Sequence, residues 1–305
     1  MISKKPEYRE NHQRNFEFFQ RCRDAFSAVL KDENIVEGDK ILLPAYIGWS
    51  PKEGSGVYDP IEYQKITPVF YRMDEKLQID LSDAEQKIMR DNIRAILIIH
   101  YFGFPDRNYL KLTQFAKEHG VLVIEDAAHA MLSDFIFGSC GRAGDYTIYS
   151  LHKMLPFNNG GMLTTSGNIC PTISATDRNS IGDPFSYDLC AISKKRRKNF
   201  DYILRRIDEY ERFIHPLFKE LPDDVVPQSF PILISGYDRF QLYNQMNSEG
   251  FGLISLYHTL IKPLQSREWT DSQYLSTHIM NLPVHQDIQK SDYDEMFTVL
   301  SRYLV

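Results

Sequence analysis

The chain has 305 residues, of which 43% are hydrophobic and 25% charged, the composition of a soluble globular protein with apolar mass for a sizeable core. A formal charge of -6 gives no basic excess for holding nucleic-acid phosphates and leaves small polar substrates open. Residues Met1 to Glu7 lead into polar sequence rather than a secretory leader, apolar runs such as Ala95 to Ile99 are too short to cross a bilayer, and Cys22, Cys140, Cys170 and Cys190 form no CxxC pair. Export, a membrane span, a disulfide framework and a metal site are therefore not expected, and a reducing cytoplasm is.

In chain order, Asp39 to Leu43 and Thr67 to Tyr71 look like strands. Ile93 to Tyr101 is apolar on both faces, as strands of a parallel sheet are when both faces are covered. Tyr109, Leu110, Leu112, Phe115 and Ala116 then recur at helical spacing, Gly120 stands where a left-handed C-cap is wanted, and Val121 to Ile124 supplies the next strand of a βαβ unit. That unit ends in Glu125 and Asp126, two ionisable side chains at the carboxyl end of a buried parallel strand, where open α/β sheets bind ligands. Asp145 to Leu151 and Gly160 to Thr165 add two strands, with Lys153 and a Pro156-Phe157-Asn158-Asn159-Gly160-Gly161 turn between them.

Asp177 to Asp188 is rich in Asp, Ser, Asn, Gly and Pro, a loop signature. A charged helix is expected from about Ile192 to Lys219. Its Lys194-Lys195-Arg196-Arg197-Lys198 run is followed by Asp201, Asp208, Glu209 and Glu211, which reads as a solvated face rather than a nucleic-acid surface. A strand near Phe230 to Ile234 precedes an amphipathic closing helix. There Ser291, three residues before Asp294, approximates a capping box, and Tyr293, Met296, Phe297, Leu300 and Leu304 face inwards. The expectation is an α/β protein with a large domain over residues 1–195, its mostly parallel central sheet flanked by helices, and a smaller C-terminal α/β domain over residues 196–305.

Two stretches carry the chemistry: Ile124-Glu125-Asp126-Ala127-Ala128-His129-Ala130, and Gly144 through Ser150, Leu151, His152 and Lys153 to Gly160-Gly161. They resemble the motifs of the DegT-type aminotransferases, pyridoxal-phosphate (PLP) enzymes of fold type I that act mostly on nucleotide-linked keto sugars. In that family the Schiff-base lysine stands seven residues before a Gly-Gly pair, as Lys153 does before Gly160. Glu37 to Pro44, Ile98-Ile99-His100-Tyr101-Phe102-Gly103 and Asn281-Leu282-Pro283-Val284-His285 resemble further family segments in the same order.

The resemblance implies that Lys153 holds the cofactor aldehyde and later shuttles a proton, and that Asp126 pairs with the pyridine nitrogen. It also implies that His129 lies against the ring or its 3′-oxygen, that Ser150 and the Arg23-Asp24 turn bind phosphate, and that Tyr46 or Trp49 covers the ring. Ser150 stands three residues before the lysine, where the family serine stands five before, and Cys22-Arg23-Asp24-Ala25-Phe26 replaces the usual small-residue phosphate turn. The family's Gly-Tyr-Asn-Tyr-Arg segment has no counterpart between Asp177 and Phe200. Tyr257 and His258 could approach the pocket from the small domain but are not counted among the site residues, since a lone histidine is more often structural. The implied activity is transfer of an amino group from an amino acid, glutamate being favoured, to a keto sugar in polysaccharide biosynthesis by a homodimer. A PLP-dependent dehydratase or lyase, or a non-catalytic member of the fold, are the alternatives.

Overall fold

A computed structural model describes residues 14–165 and 178–304; Cys170 and Asp177 lie outside the described residues. Strands β1 (Phe16–Phe19), β2 (Lys40–Pro44), β3 (Thr67–Tyr71), β4 (Ile93–Ile99), β5 (Leu122–Asp126), β6 (Tyr146–Ser150) and β7 (Gly161–Thr165) form one sheet in the order β1-β7-β6-β5-β4-β2-β3. Strands β2 to β6 are parallel, and β7 runs antiparallel to both β6 and β1. Helices α1 (Cys22–Asp32), α2 (Tyr58–Tyr63), α3 (Leu81–Arg90) and α4 (Tyr109–Glu118) connect and flank these strands. β4 ends before Tyr101 because the chain tightens into a 3-10 turn there, with Phe102 at φ 56° and Gly103 at φ 95°. Residues Glu125 and Asp126, expected just past the strand, are its last two.

The remaining elements are α5 (Arg178–Ile181), α6 (Leu189–Ile207), β8 (Ile214–Pro216), β9 (Ser229–Ile234), α7 (Arg239–Ser248), α8 (Thr270–His278), β10 (Ile279–Pro283) and α9 (Lys290–Leu304). Strands β10, β9 and β8 make an antiparallel sheet in that order. The helix expected to reach Lys219 stops at Ile207 instead. Asp208 to Tyr210 tighten into a 3-10 turn, the Tyr210 hydroxyl donates to the Phe297 carbonyl at 3.0 Å, and the following residues are needed as edge strand β8, where Pro216 is tolerated. The same helix starts earlier than expected because Asp188 caps it, accepting the Ala191 N–H at 2.9 Å.

At α9 the cap also differs from expectation. Asp292 accepts the Gln289 N–H at 2.7 Å, so Ser291 lies inside the first turn, while Tyr293, Met296, Phe297, Leu300 and Leu304 are buried as their spacing predicts. The two sheets share one continuous apolar core. Backbone joins them as well: the Gln228 N–H donates to the Phe102 carbonyl at 2.8 Å, and a Cβ on Gly103 would lie 2.3 Å from the Val226 oxygen. Among the described residues no helix is long and apolar enough to cross a membrane.

Candidate active site

A cavity of about 510 Å³ opens at the carboxyl ends of β5 and β6, the side of a parallel sheet on which ligands bind. Lys153, Asp126, His129, Ser150, Arg23 and Trp49 all line it; Asp24 and Tyr46 do not.

Lys153 ends a 3-10 turn, Leu151–Lys153, that follows β6 directly. Half-buried, it makes no ion pair among the described residues. Burial holds its pKa below that of a free lysine, with Arg23 acting in the same direction and Glu53 and Asp126 opposing. The glycines seven and eight residues on have separate structural tasks. Gly160 adopts φ 123°, a region closed to other residues. Gly161 lets β7 approach the start of α1, since a Cβ there would lie 2.4 Å from the Arg21 carbonyl carbon and 2.6 Å from the Cys22 nitrogen. The amino end of α1 is thereby pressed against the cavity. No side chain caps it, and the N–H groups of Cys22 and Arg23 have no acceptor among the described residues, which leaves them and the helix dipole facing a place for an anion. The buried Ser150 hydroxyl, 3.3 Å from His152 Nδ1, adds another polar group to that wall.

Asp126 and Glu125 leave β5 on opposite faces, as successive strand residues must. Asp126 is 7% exposed; its Oδ1 accepts the Ala128 N–H at 2.9 Å, and its Oδ2 has no partner among the described residues. Burial raises its pKa to about 6, against the lowering effects of that hydrogen bond, His100 and Lys153. Glu125 is fully buried and accepts the N–H groups of Gly141 (2.6 Å), Ala143 (2.8 Å) and Gly144 (2.6 Å), together with His100 Nε2 at 2.8 Å. Burial alone raises its pKa, but these donors outweigh it and bring the value to about 2. An ionised carboxylate only accepts, so His100 carries its proton on Nε2. This pair pins the 141–144 loop that feeds β6, a task that sequence reading left unassigned; the alternation along β5 is the signal that would have separated the two acids.

His129 is 5% exposed, and the Phe102 N–H donates to its Nδ1 at 3.3 Å. The ring proton is then on Nε2. Burial, aided by Lys153 and His152, lowers the His129 pKa to about 3, so the ring is neutral. Arg23 reaches the cavity but commits both arms elsewhere, to Asp59 at 3.1 Å and the Glu53 carbonyl at 2.7 Å, and so clamps the 50–57 loop that walls the site. Asp24 pairs instead with Arg21 at 3.2 Å. Trp49 stands at the rim, 42% exposed. Tyr46 is wholly buried behind Tyr257, their rings stacked at 5.1 Å, and it is Tyr257 that meets the cavity. A second residue that sequence reading missed is Arg196 on α6. Buried at 3% exposure, it donates to the carbonyls of Met154 (3.0 Å), Gln228 (3.1 Å) and Pro227 (3.4 Å), which fixes the residue after Lys153.

An amine shifted down, an acid shifted up, a neutral imidazole N–H and free backbone donors at a helix start converge on one cavity. This set suits a phosphorylated, aldehyde-bearing heterocycle with a basic ring nitrogen.

Comparison with known proteins agrees. The spore coat polysaccharide biosynthesis protein SpsC of Bacillus subtilis (strain 168) is 33% identical over 147 residues, 47% of this chain and 36% of that protein. A GDP-perosamine synthase of Escherichia coli O157:H7 is 32% identical over 137 residues, 43% of this chain and 35% of its own length. The likeness thus spans about a third of these relatives. The crystal structure of the aminotransferase TlmJ from Streptoalloteichus hindustanus superposes with a TM-score of 0.75 over 95% of this chain and 85% of that one, at 17% identity, a likeness of fold. Residues 19–175, just over half of the chain, match the profile of the DegT/DnrJ/EryC1/StrS aminotransferase family, and the chain belongs to that family.

Proposed function

We propose that the chain is a PLP-dependent aminotransferase that moves an amino group from an amino acid, with glutamate as donor, to a nucleotide-linked keto sugar, working as a homodimer in the cytoplasm. The observation that carries this reading is the cavity shared by Asp126, which ends β5, and Lys153, in the turn after the adjacent parallel strand β6, beneath the uncapped start of α1. The names of the relatives, a GDP-perosamine synthase and a spore coat polysaccharide biosynthesis protein, favour a sugar acceptor.

Bound PLP supplies an electron sink beside the amino-bearing carbon. The protein's own residues would act as follows. Asp126 Oδ2 is free to accept the ring N–H, and that cation would offset the effect of burial that raises the acid's pKa. The amine of Lys153, with its charged form already disfavoured, would take a proton from the donor carbon and deliver it to the cofactor carbon that carried the aldehyde. His129 Nε2–H would donate to the ring oxygen. The N–H groups of Cys22 and Arg23, with Ser150, would hold the phosphate, while Arg23 holds the 50–57 wall in place.

The test is an absorbance titration of the wild type and Lys153→Ala with PLP, then with glutamate, followed by product analysis with a panel of nucleotide-linked keto sugars. The wild type is expected to give a cofactor band that shifts with glutamate. Lys153→Ala should lose the band's lysine-dependent form and turn over roughly 100- to 10,000-fold more slowly. A wild-type chain that takes up no PLP sinks the reading; one that binds PLP and yields a dehydrated sugar, with no amine transferred, replaces transamination by elimination.

A further inference from the structure

Tyr257 comes from far along the chain yet stands in the cavity beside His129, the two rings edge to face at 6.0 Å. Its backbone is in the left-handed region, φ 59°, which a residue with a bulky side chain occupies only when its surroundings enforce it. The enforcing contacts are visible. Residues 47–49 and 259–261 form a short antiparallel ladder, with the Trp49 N–H on the Thr259 carbonyl at 2.9 Å and the Ile261 N–H on the Ile47 carbonyl at 3.0 Å. Between these strands Gly48 leaves a gap that the Tyr257 ring fills: a Cβ built on Gly48 would lie 3.0 Å from Tyr257 Cδ1.

The ring is then boxed in on several sides. Tyr46 stacks on it at 27° between planes, while Tyr101 and Phe102 meet it edge to face at 72° and 86°. What these neighbours leave uncovered belongs to the cavity that Asp126, His129 and Lys153 share. The hydroxyl has no hydrogen-bond partner among the described residues, so no polar contact explains the strained placement. Trp49, the other aromatic in the cavity, is 42% exposed at its rim.

We propose that Tyr257, filling the space left by Gly48, is the aromatic surface on which the pyridine ring of the cofactor packs. The inference rests on the proposed PLP chemistry and adds a binding residue from the C-terminal part of the chain. Its contribution is contact by the ring and not by the hydroxyl.

The test measures PLP affinity by fluorescence quenching and the induced circular dichroism of bound PLP, for wild type, Tyr257→Phe and Tyr257→Leu, with thermal melts as the check on folding. Tyr257→Phe is expected to match the wild type. Tyr257→Leu should bind roughly 2- to 10-fold more weakly, as loss of an aromatic pair implies, and change the dichroism. As a measurement without truncation, 3-fluorotyrosine placed at position 257 should shift its fluorine resonance on addition of PLP and not on addition of inorganic phosphate. A folded Tyr257→Leu that binds like the wild type, a Tyr257→Phe as weak as Tyr257→Leu, or a fluorine signal blind to PLP overturns the assignment while PLP binding by the wild type stands. Failure of the wild type itself to bind PLP removes the underlying reading, and this inference with it.

Discussion

Asp126 and Glu125 are neighbours in one strand, yet their environments drive their acidities apart, to about 6 and about 2. Four donors meet the buried Glu125, whereas Asp126 is desolvated with one backbone N–H and an open oxygen. The consequences for stability have opposite signs. Glu125, with its folded pKa lowered from 4.5 to about 2, contributes stability that is complete above about pH 4.5 and is lost as the pH falls towards 2. Asp126, raised from 3.8 to about 6, opposes folding increasingly as the pH rises between those values, and constantly above them. Asp126→Asn should therefore stabilise the PLP-free chain at pH 8 by on the order of 2–3 kcal/mol in a denaturant melt, while costing activity roughly 100-fold or more. Equal melts for the two proteins at pH 8 would refute the first half of that expectation. Glu125→Gln should instead lower stability at neutral pH and flatten its acid dependence below about pH 4.5, seen in melting temperature against pH.

Among the elements, the junction of β7 with α1 is the most exacting. Gly161→Ala places a methyl group against the Arg21 and Cys22 backbone, where neither partner is a flexible side chain that can yield. A loss of about 1–3 kcal/mol is expected, together with weaker PLP binding, because the helix start must retreat from the cavity; calorimetry of the variant with PLP checks both. The β7 side of this junction was legible in sequence because its parts are near neighbours, a buried strand, a lysine, a turn and two glycines, whereas its contact with the distant start of α1 was not. The carboxyl end of β5 was legible for the same reason, since an apolar run ending in acids announces its own direction. The parts that escaped depend on distant pairings. The early end of α6 follows from an edge strand required by β9, the Arg196 contacts from a loop some forty residues upstream, and the seat of Tyr257, though not its approach to the pocket, from a ladder with residues 47–49. No local period encodes any of these. The left-handed Tyr257 is less visible still, because a tyrosine gives no hint of the conformation that a glycine would advertise.

Across the whole molecule, Arg196 binds α6, the approach to β9 and the residue after Lys153 through three backbone carbonyls, with burial lowering its pKa to about 10. Arg196→Met should cost about 2 kcal/mol or more in a urea melt, since acceptors that the guanidinium satisfied are left bare, and should weaken PLP binding as Met154 loosens; Arg196→Lys should restore only part of either. PLP at 100 times its dissociation constant should in turn stabilise the wild type by about 2.7 kcal/mol, read as a raised melting temperature. The ladder between residues 47–49 and 259–261 also sets a timetable for biosynthesis. While the ribosome still shelters residues 259–261, the nascent protein already carries Lys153 and Asp126 but lacks one wall of the cavity, which is complete only once those residues emerge. A nonsense mutation ahead of residue 255 should then leave a fragment that keeps Lys153 yet fails to retain the vitamin-derived ring.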